Sequence, residues 1–321
     1  IVKEIKELGR GKKYDCIIGI SGGCDSSFLL YKAKTLGLRV LAVTLDNTWS
    51  TEIAKENVKN MCDKLDVDLY TYFIDAQEFD DISRSFLYAS VPDADIPSDI
   101  AIASLYYKVM EEHDIPCSLC GHSFRTEGTV PLGWTYMDSK YIESVQKQFG
   151  TMPIDTLLTL DMDYWLKNIN KKRVRLLYYL EYQKEEVKDF LNKNFGWQWY
   201  GGHHHENEYT KFVKTYLLPK KFNIDKRYVE FSALVRSGNM SRDQALEELK
   251  TPVEVDPLFL DSVLKRLKLS EEQLEDIMDL PIKSYRDYET YRDYFIENRE
   301  MFHDMVEKGL ISRTFYEKYT K

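Results

Sequence analysis

The sequence predicts a doubly wound α/β domain with a parallel sheet, followed by a mostly helical C-terminal extension. The first observation is that residues 14–120 alternate short apolar runs with helix-like segments, a pattern typical of a parallel sheet covered by helices on both faces. The second is that strand-like runs become scarce after about residue 150, while helical periodicity continues. We therefore expect an α/β domain over residues 1–150 and a mostly helical region over residues 151–321.

Four strands and three helices are predicted in the first region. The strands are expected at 14–20, 38–45, 67–74 and 115–120, with helices at 26–36, 52–65 and 98–113. Right-handed crossovers between parallel strands then give the doubly wound arrangement. In the second region, helices are expected at 185–194, 209–218, 226–236, 241–249, 257–268, 270–278 and 285–308. Ser241 with Gln244 three residues later is a typical helix start.

Composition excludes several classes of protein. With 43% hydrophobic and 30% charged residues, the 321-residue chain is neither collagen-like nor of low complexity. No apolar run approaches the roughly 18 residues of a transmembrane helix, so we expect no membrane span. The net charge of −9 disfavours nucleic acid as a partner. Five cysteines do not make a disulfide scaffold in a chain of this length, and we expect a cytoplasmic location.

A glycine-rich turn, Ser21–Ser27 with the sequence SGGCDSS, follows the first predicted strand and opens the first predicted helix. Ligands bind at this place in an open α/β sheet. Gly22 and Gly23 allow close backbone approach, and the free N–H groups at the helix start favour an anion. The serines add hydroxyl donors, while Asp25 is suited to hold Mg²⁺ on a polyphosphate. The turn therefore predicts a polyphosphate site, and the alternative is a plain capped turn.

The string is neither a Walker P-loop nor a G-x-G-x-x-G turn. Ser21-Gly22-Gly23-x-Asp25-Ser26 instead resembles the PP-loop of the N-type ATP pyrophosphatases, a superfamily that includes GMP synthetase, asparagine synthetase and tRNA-thiolation enzymes. The resemblance implies that ATP is cleaved between its α and β phosphates. A substrate oxygen is then adenylated, and a nucleophile displaces AMP. The loop is expected to bind the pyrophosphate portion of ATP, with Mg²⁺.

Further blocks point to one branch of that superfamily. The blocks are 46–52 (DNTWSTE), 121–128 (GHSFRTEG), 131–138 (PLGWTYMD), 196–212, 218–227 (LPKKFNIDKR) and 237–242 (SGNMSR). Together they resemble the N-acetyl sugar amidotransferases of surface-polysaccharide (lipopolysaccharide) and nonulosonic-acid biosynthesis. The resemblance implies that the N-acetyl group of a nucleotide-linked sugar is adenylated. Ammonia then converts it to an acetamidino group, and AMP and pyrophosphate are released.

The resemblance also implies a partner and a second metal. Ammonia is expected from a glutaminase complex that resembles the synthase pair of histidine biosynthesis. Members of the family begin with a Cys-rich, zinc-binding segment. Residues 1–13 contain no cysteine, so we expect that segment and its Zn²⁺ to be missing from this chain.

The predicted strand ends and the matching blocks define a set of site residues. ATP is expected to contact Ser21, Gly22, Gly23, Asp25, Ser26, Ser27, Asp46, Gly121, His122 and Ser123. The catalytic set is expected to be Asp25, His122, Arg125 and Glu127, with Asp25 also holding Mg²⁺. The sugar substrate is expected to contact Trp134, Tyr136, Asp138, His203, His204, His205, Glu206, Lys211 and Arg227.

The charged members have structural alternatives. Asp25 can hold Mg²⁺ or act only as a carboxylate favoured by the helix dipole. Asp46 can reach adenosine or its metal, or cap a turn. Arg125 can hold the α-phosphate or the charge that develops on the adenylate. Glu127 can position ammonia or a proton, and the alternative for Arg125 and Glu127 is a plain ion pair.

The candidate site residues in the second half of the chain also have more than one interpretation. His203–His205 cannot all face one point on a regular helix, but in a loop two of them could bind metal with Glu206. We favour contact with the sugar or the reacting group. The basic stretch 211–227, which includes Lys214, suits a nucleotide diphosphate, although a solvated helix face is expected for most of its lysines.

The aromatic residues in and just after the 131–138 block have two interpretations. Trp134, Tyr136 and Tyr141 are suited either to stack on a sugar or base or to pack in the core.

Two other functional classes stay open. A tRNA-thiolation enzyme would share the loop and carry a catalytic cysteine pair. Cys117 and Cys120 lie in one predicted strand, where residues three apart point to opposite faces, so we do not expect them to share a cluster. A non-catalytic nucleotide-binding module would bind ATP without cleaving it, and the presence of Asp25 and Arg125 disfavours this alternative.

Overall fold

The computed structural model describes all residues, 1–321. The chain forms two compact units, each assembled from separate segments. Unit 1 comprises Ile1–Ile74, Leu105–Thr129 and Lys172–Val263, and unit 2 comprises Asp75–Ser104, Val130–Lys171 and Leu264–Lys321. This division differs from the expected 1–150 and 151–321, because each unit draws residues from both halves of the sequence.

Unit 1 contains a parallel sheet of five strands, which confirms the predicted doubly wound α/β fold. The strands are β1 Cys16–Gly19, β2 Val40–Asp46, β3 Asp68–Phe73, β4 Cys117–Leu119 and β5 Lys172–Val174. Their spatial order is β3-β2-β1-β4-β5, and every neighbouring pair is parallel. β1 lies between β2 and β4, so the strand order reverses beside its C-terminal end. Doubly wound sheets bind ligands at such a switch point.

Helices make up most of the remaining structure. They are α1 Val2–Leu8, α2 Cys24–Thr35, α3 Glu52–Leu65, α4 Ala76–Ala89, α5 Ile96–Glu112, α6 Ser139–Phe149, α7 Met162–Asn168, α8 Lys184–Phe195, α9 Glu208–Phe212, α10 Leu218–Phe222, α11 Arg227–Arg236, α12 Arg242–Lys250, α13 Pro257–Leu267, α14 Glu271–Asp279, α15 Arg292–Glu297, α16 Arg299–Glu307 and α17 Arg313–Tyr319. No strand follows β5, so the predicted mostly helical C-terminal part is confirmed. None of these helices combines the length and the apolar character needed to cross a lipid bilayer.

The core of unit 1 packs the sheet against α2, α3 and α8. Ile18 of β1, Leu29 of α2, Met61 of α3 and Leu191 of α8 are all fully buried in one cluster. Each large apolar side chain buried in this way stabilises the fold by about 2 kcal/mol. The core therefore holds α2 firmly against β1, and the turn between them is the glycine-rich one.

Two features of unit 1 differ from the expectation. β5 was not predicted, because two of its three residues are charged and it lies at the sheet edge. The helix expected at 209–218 is longer, and its middle, Val213–Leu217, is a π-helix. Pro219 explains this, since its ring would clash with the carbonyl of Thr215 in a regular α-helix and it has no N–H to donate.

Unit 2 is helical, and polar groups organise much of it. Asp81 of α4 accepts hydrogen bonds from Gln146 of α6 and from the backbone N–H groups of Thr151 and Met152, at 2.7, 2.8 and 3.0 Å. Buried polar groups of this kind are stable only when they are hydrogen-bonded. They also hide the helical periodicity of α4, which was not predicted from the sequence.

The helix expected at 285–308 is interrupted. A 3₁₀ turn at Tyr285–Asp287 is followed by α15 and α16, which are separated at Asn298. The Asn298 side chain donates to the carbonyl of Tyr294 at 2.9 Å. Asparagine side chains that bond to nearby backbone groups compete with helix continuation.

Candidate active site

The glycine-rich turn is held in one conformation by its own side chains and by α3. The Gly22 carbonyl accepts hydrogen bonds from Trp197 Nε1 at 2.8 Å and from Asn57 Nδ2 at 3.1 Å. Ser26 Oγ donates to the Gly23 carbonyl at 3.1 Å. Gly22 has a φ of +80°, and a Cβ there would lie 2.3 Å from the carbonyl oxygen of Ala54. Only glycine fits this position, and the close approach that it allows here is to α3.

Asp25, in the first turn of α2, lies in a buried polar network. Tyr182 Oη donates to Asp25 Oδ1 at 2.5 Å, and Thr126 Oγ1 donates to Oδ2 at 3.2 Å. Lys184 Nζ lies 3.9 Å from Oδ2. Burial raises the pKa of Asp25, and the Lys184 ammonium opposes that effect only in part. The carboxylate is therefore short of positive charge.

That shortage of charge makes Asp25 fit a role in holding Mg²⁺, because a divalent cation would supply it. Mg²⁺ is usually bound by one or two carboxylates together with substrate phosphates and water. No group of three His, Cys, Asp or Glu side chains in the chain is arranged to hold a metal. The alternative in which two histidines and Glu206 bind metal is therefore not supported.

His122 and Glu127 form a close pair after β4. His122 Nδ1 and Glu127 Oε2 are 2.5 Å apart. Burial alone would raise the pKa of Glu127, but the hydrogen bond from His122 and the nearby His204 hold it below its ordinary value. Glu127 is thus ionised at neutral pH, and its partner is His122 rather than Arg125.

Arg125 is left with a free donor. Its guanidinium lies over the ring of Phe124, 5.0 Å from the centroid, and its Nε is buried without a hydrogen-bond partner. Ser237 Oγ donates to its backbone carbonyl at 2.8 Å, which fixes the residue against the end of α11. An anchored guanidinium with an unused N–H is suited to an anionic group such as a phosphate.

Glu206 reaches the glycine-rich turn from the 196–212 block. Its Oε1 accepts a hydrogen bond from Ser21 Oγ at 3.4 Å, and His204 Nδ1 lies 3.5 Å from the same oxygen. The ring centroids of His203 and His204 are 4.0 Å apart. The structure thus brings Glu206 to the turn, with His204 beside it, and their predicted contact with the sugar stays a prediction.

Sequence reasoning missed four members of the site. Tyr182 and Lys184 contact Asp25, as described above. The third member is Glu230, whose Oε1 lies 4.0 Å from His203 Nδ1. Lys184 Nζ lies 3.3 Å from the same nitrogen. Burial lowers the pKa of Lys184, but Asp25 and Glu230 together raise it by more than burial lowers it. Lys184 therefore remains charged. The fourth member, Thr126, was inside a matching block but was not singled out.

Lys214 belonged to the basic stretch expected to be mostly solvated, and the structure buries it in part. Its Nζ donates to the His203 carbonyl at 2.9 Å. Burial lowers its pKa to about 8, although Glu230 opposes this. A buried amine that titrates near neutral pH is characteristic of functional sites.

Burial of Lys214 is expected to make stability depend on pH. Its pKa falls from 10.5 to about 8 on folding, so the folded state binds fewer protons between those values and stability rises with pH there. We expect the melting temperature of the wild type to gain on that of Lys214→Met as pH increases from 8 to 10.5. Lys250→Met, which alters an exposed lysine, is the control and should show no such gain. A constant difference between wild type and Lys214→Met would contradict the lowered pKa.

The remaining ATP-site candidates take structural positions around the turn. Asp46 accepts from Thr48 N at 2.7 Å, which is the turn-capping alternative. Ser123 Oγ accepts from Arg125 N at 3.3 Å. A Cβ on Gly121 would lie 3.3 Å from Ser26 Cα, so this residue also allows a close approach to α2. Ser27 is fully buried, and its Oγ has no partner.

Several substrate candidates have structural roles instead. Arg227 binds Asp225 with two guanidinium nitrogens at 2.7–3.1 Å and donates to the Thr251 carbonyl at 2.9 Å, so it ties α11 to the end of α12. Lys211 lies 4.0 Å from the ring centroid of Phe259. His205 is partly buried, and burial lowers its pKa to about 4, so it is neutral.

Trp134, Tyr136 and Asp138 lie in unit 2. Tyr136 is buried, stacks on Tyr285 at 4.1 Å and donates to Asp138 Oδ2 at 2.7 Å. Asp138 also caps α6 by accepting from Tyr141 N at 2.7 Å. The core-packing alternative therefore holds for Tyr136 and Tyr141, while Asp138 caps a helix. Trp134 is half-buried.

Comparison with known proteins finds two families, each of which matches one part of the chain. The family described as queuosine biosynthesis protein QueC matches residues 15–105, which include the glycine-rich turn. The family described as LPS biosynthesis protein WbpG-like, C-terminal domain, matches residues 206–302. Residues 15–105 are thus similar to a PP-loop family, and residues 206–302 are similar to a WbpG-like C-terminal domain. This confirms the ATP-pyrophosphatase type of the loop and the resemblance to surface-polysaccharide enzymes at the level of the family.

Other comparisons add less. None of the curated proteins is significantly similar to the chain. The NH₃-dependent NAD synthetase of Campylobacter jejuni is 15% identical, with 79% of this chain and 96% of that chain covered at a TM-score of 0.34. The NMN synthetase of Francisella tularensis is 12% identical, with 84% and 97% covered at a TM-score of 0.36. Scores this low establish no shared overall arrangement.

Proposed function

We propose that this PP-loop protein is an ATP-dependent amidotransferase that converts the N-acetyl group of a nucleotide-linked sugar to an acetamidino group. The observation that carries the proposal is the presence of a PP-loop and a WbpG-like C-terminal domain in one chain. The first supplies an ATP site, and the second associates it with lipopolysaccharide synthesis. AMP and pyrophosphate are the expected co-products.

The PP-loop would receive the pyrophosphate portion of ATP. Gly22 lets the loop approach α3 closely, and the backbone N–H groups at the start of α2 are the usual donors to phosphate. Ser21 and Ser26 add hydroxyl groups, which are 3.3 Å apart. Mg²⁺, held on ATP by Asp25, would neutralise charge on the phosphates.

Arg125 would stabilise the negative charge that develops during adenylation. Arg125 offers a guanidinium with an unused Nε donor. The amide oxygen of the substrate attacks the α-phosphorus, and an oriented positive charge stabilises that transition state. Glu127, held ionised by His122, would accept the proton that the amide nitrogen loses.

Ammonia completes the reaction. We propose that a separate glutaminase supplies it, as the family resemblance implies. The nucleophile must reach the activated carbon while water is excluded, because water would regenerate the acetamide. Lys184 is buried and His203 and Lys214 are partly buried, which is suited to that exclusion.

Product analysis by mass spectrometry tests the proposal. The protein is given ATP, Mg²⁺ and ammonium with UDP- and CMP-linked N-acetyl sugars. We expect a sugar lighter by about one mass unit, since oxygen is exchanged for NH, together with an equal amount of AMP. With ¹⁵N-ammonium the same product should gain one mass unit, and without ATP no product should form. AMP with every sugar unchanged would exclude these acceptors.

The QueC match favours a second candidate, a PP-loop enzyme of nucleobase or tRNA modification. Two observations weigh against a thiolation chemistry. Burial raises the pKa of the Cys117 thiol to about 12. Cys120 is only partly buried, and its Sγ accepts a hydrogen bond from Arg173 Nη2 at 3.6 Å. A thiol with so high a pKa is a poor nucleophile. Transfer of label from ¹⁵N-ammonium to tRNA instead of sugar would support this second candidate.

A further inference from the structure

Glu206 is held beside the PP-loop by its own backbone. Thr51 N donates to the Glu206 carbonyl at 2.9 Å, and Glu208 N donates to the Trp49 carbonyl at 2.9 Å. Ser50 and Asn207 form an antiparallel bridge between these bonds. The residue is thus fixed to the segment that leads into α3, independently of any ligand.

The two carboxylate oxygens of Glu206 have different surroundings. Oε1 faces Ser21 Oγ at 3.4 Å and His204 Nδ1 at 3.5 Å. Oε2 is buried and has no hydrogen-bond partner. A buried carboxylate oxygen without a donor costs the protein free energy, so this oxygen is suited to a ligand that carries N–H groups.

The carboxylate of Glu206 carries a negative charge. Burial would raise its pKa, but His204 and Lys214 hold the pKa below the ordinary value, so the carboxylate is ionised. The free Oε2 therefore offers an ionised acceptor to a ligand that donates N–H groups.

We propose that Glu206 Oε2 binds the ammonium ion of the amidotransfer reaction and takes up the proton that ammonium must lose to become a nucleophile. The inference rests on the proposed function and names the catalytic residue for its nitrogen donor. Ammonium carries one positive charge and four N–H donors, so one free carboxylate oxygen is enough to bind it. A metal ion would need a cage of several ligands. The position of Glu206, beside Ser21, sets the nitrogen next to the PP-loop.

The chemical step balances without a further reactant. Ammonium gives one proton to Glu206, which leaves neutral ammonia. The ammonia lone pair forms a C–N bond with the carbon of the adenylated acetamide, and one of its protons moves to the imidate nitrogen. The C–O bond then breaks, its electron pair leaves with AMP, and an amidinium product remains. Glu206 afterwards releases its proton to solvent.

A binding experiment tests the first half of the proposal. The melting temperature of the full chain is measured in ammonium, sodium and potassium chloride at equal ionic strength. We expect ammonium to stabilise the wild type more than either other cation, and Glu206→Gln to lose the difference. Glu247→Gln, which alters an exposed carboxylate of the same unit, should retain it. Equal stabilisation by potassium would indicate a general cation site and overturn the assignment to ammonium.

A kinetic experiment tests the second half. We expect Glu206→Gln to raise the KM for ammonium at least about tenfold and to lower kcat for amidine formation, with the KM for ATP nearly unchanged. Glu206→Asp should recover part of the loss. An unchanged KM for ammonium in folded Glu206→Gln would overturn the proposal. If the wild type converts no sugar, the proposed function fails, and the binding experiment alone decides whether Glu206 holds ammonium.

Discussion

Replacing Asp25 with asparagine is expected to reduce ATP-dependent AMP formation by at least about 100-fold while the protein stays folded. Asparagine keeps the shape of the side chain and can still bond to Tyr182 and Thr126. It removes the negative charge that would hold Mg²⁺ on ATP. The measurement is the rate of AMP release with the best acceptor sugar, beside the melting temperature of each protein.

Two effects of Asp25→Asn on stability oppose each other. Burial raises the pKa of Asp25, so its ionisation costs free energy that a neutral amide would not. The same change leaves Lys184, 3.9 Å away, without its nearest carboxylate. We therefore expect a change in melting temperature of only a few degrees. Asp25→Ala is less informative, because it also leaves Tyr182 Oη without an acceptor.

Asp15→Asn is the matched control. Asp15 is also buried and immediately precedes β1, but it lies outside the PP-loop and binds Arg39 at 2.6 Å. Burial raises its pKa, but the hydrogen bonds from Arg39 more than offset this, so its charge stabilises the fold. We expect Asp15→Asn to cost about 1 kcal/mol, since Arg39 is 49% exposed, and to keep its activity. Wild-type AMP formation by folded Asp25→Asn would exclude a role for its charge.

The parts of the fold that the sequence predicts are those with local signals. β1 and β2 are buried on both faces, so they consist of continuous apolar runs that alternate with helices. Ser270 and Gln273 form a full capping box at the start of α14, close to the predicted boundary. By contrast, α4 buries Glu78, Asp81, Ser83 and Ser85, so its inner face is polar and its period is concealed. Tertiary hydrogen bonds, which no local pattern shows, decide that helix.

The same distinction separates the parts of the site. The PP-loop is contiguous, and its glycines, serines and carboxylate carry their chemistry in order along the chain. Tyr182 and Lys184 reach Asp25 from more than 150 residues away along the chain, at the start of a helix that has no special composition. Lys214 is one of several lysines in a basic stretch, and only packing makes it the buried one. Folding therefore supplies the charge balance of the site.

The second prediction with a large expected effect concerns Gly22. A substitution there tests the backbone of the PP-loop rather than its side chains. Gly22→Ala is expected to lower the melting temperature by about 10 °C and to abolish AMP formation. The φ of +80° costs an alanine roughly 1 kcal/mol. A Cβ 2.3 Å from the Ala54 carbonyl oxygen adds more, since that atom belongs to the backbone of α3 and cannot move aside alone.

Gly11→Ala separates these two costs. Gly11 has a φ of +78°, almost the same as Gly22, but a Cβ there meets nothing within 4 Å. We expect Gly11→Ala to lose only the conformational part, about 1 kcal/mol, and to form AMP at the wild-type rate. The difference between the two variants then measures the close approach of the loop to α3. If both variants melted at the same temperature and kept their activity, the loop would not need the approach that the structure shows, and a side chain at position 22 would be compatible with ATP.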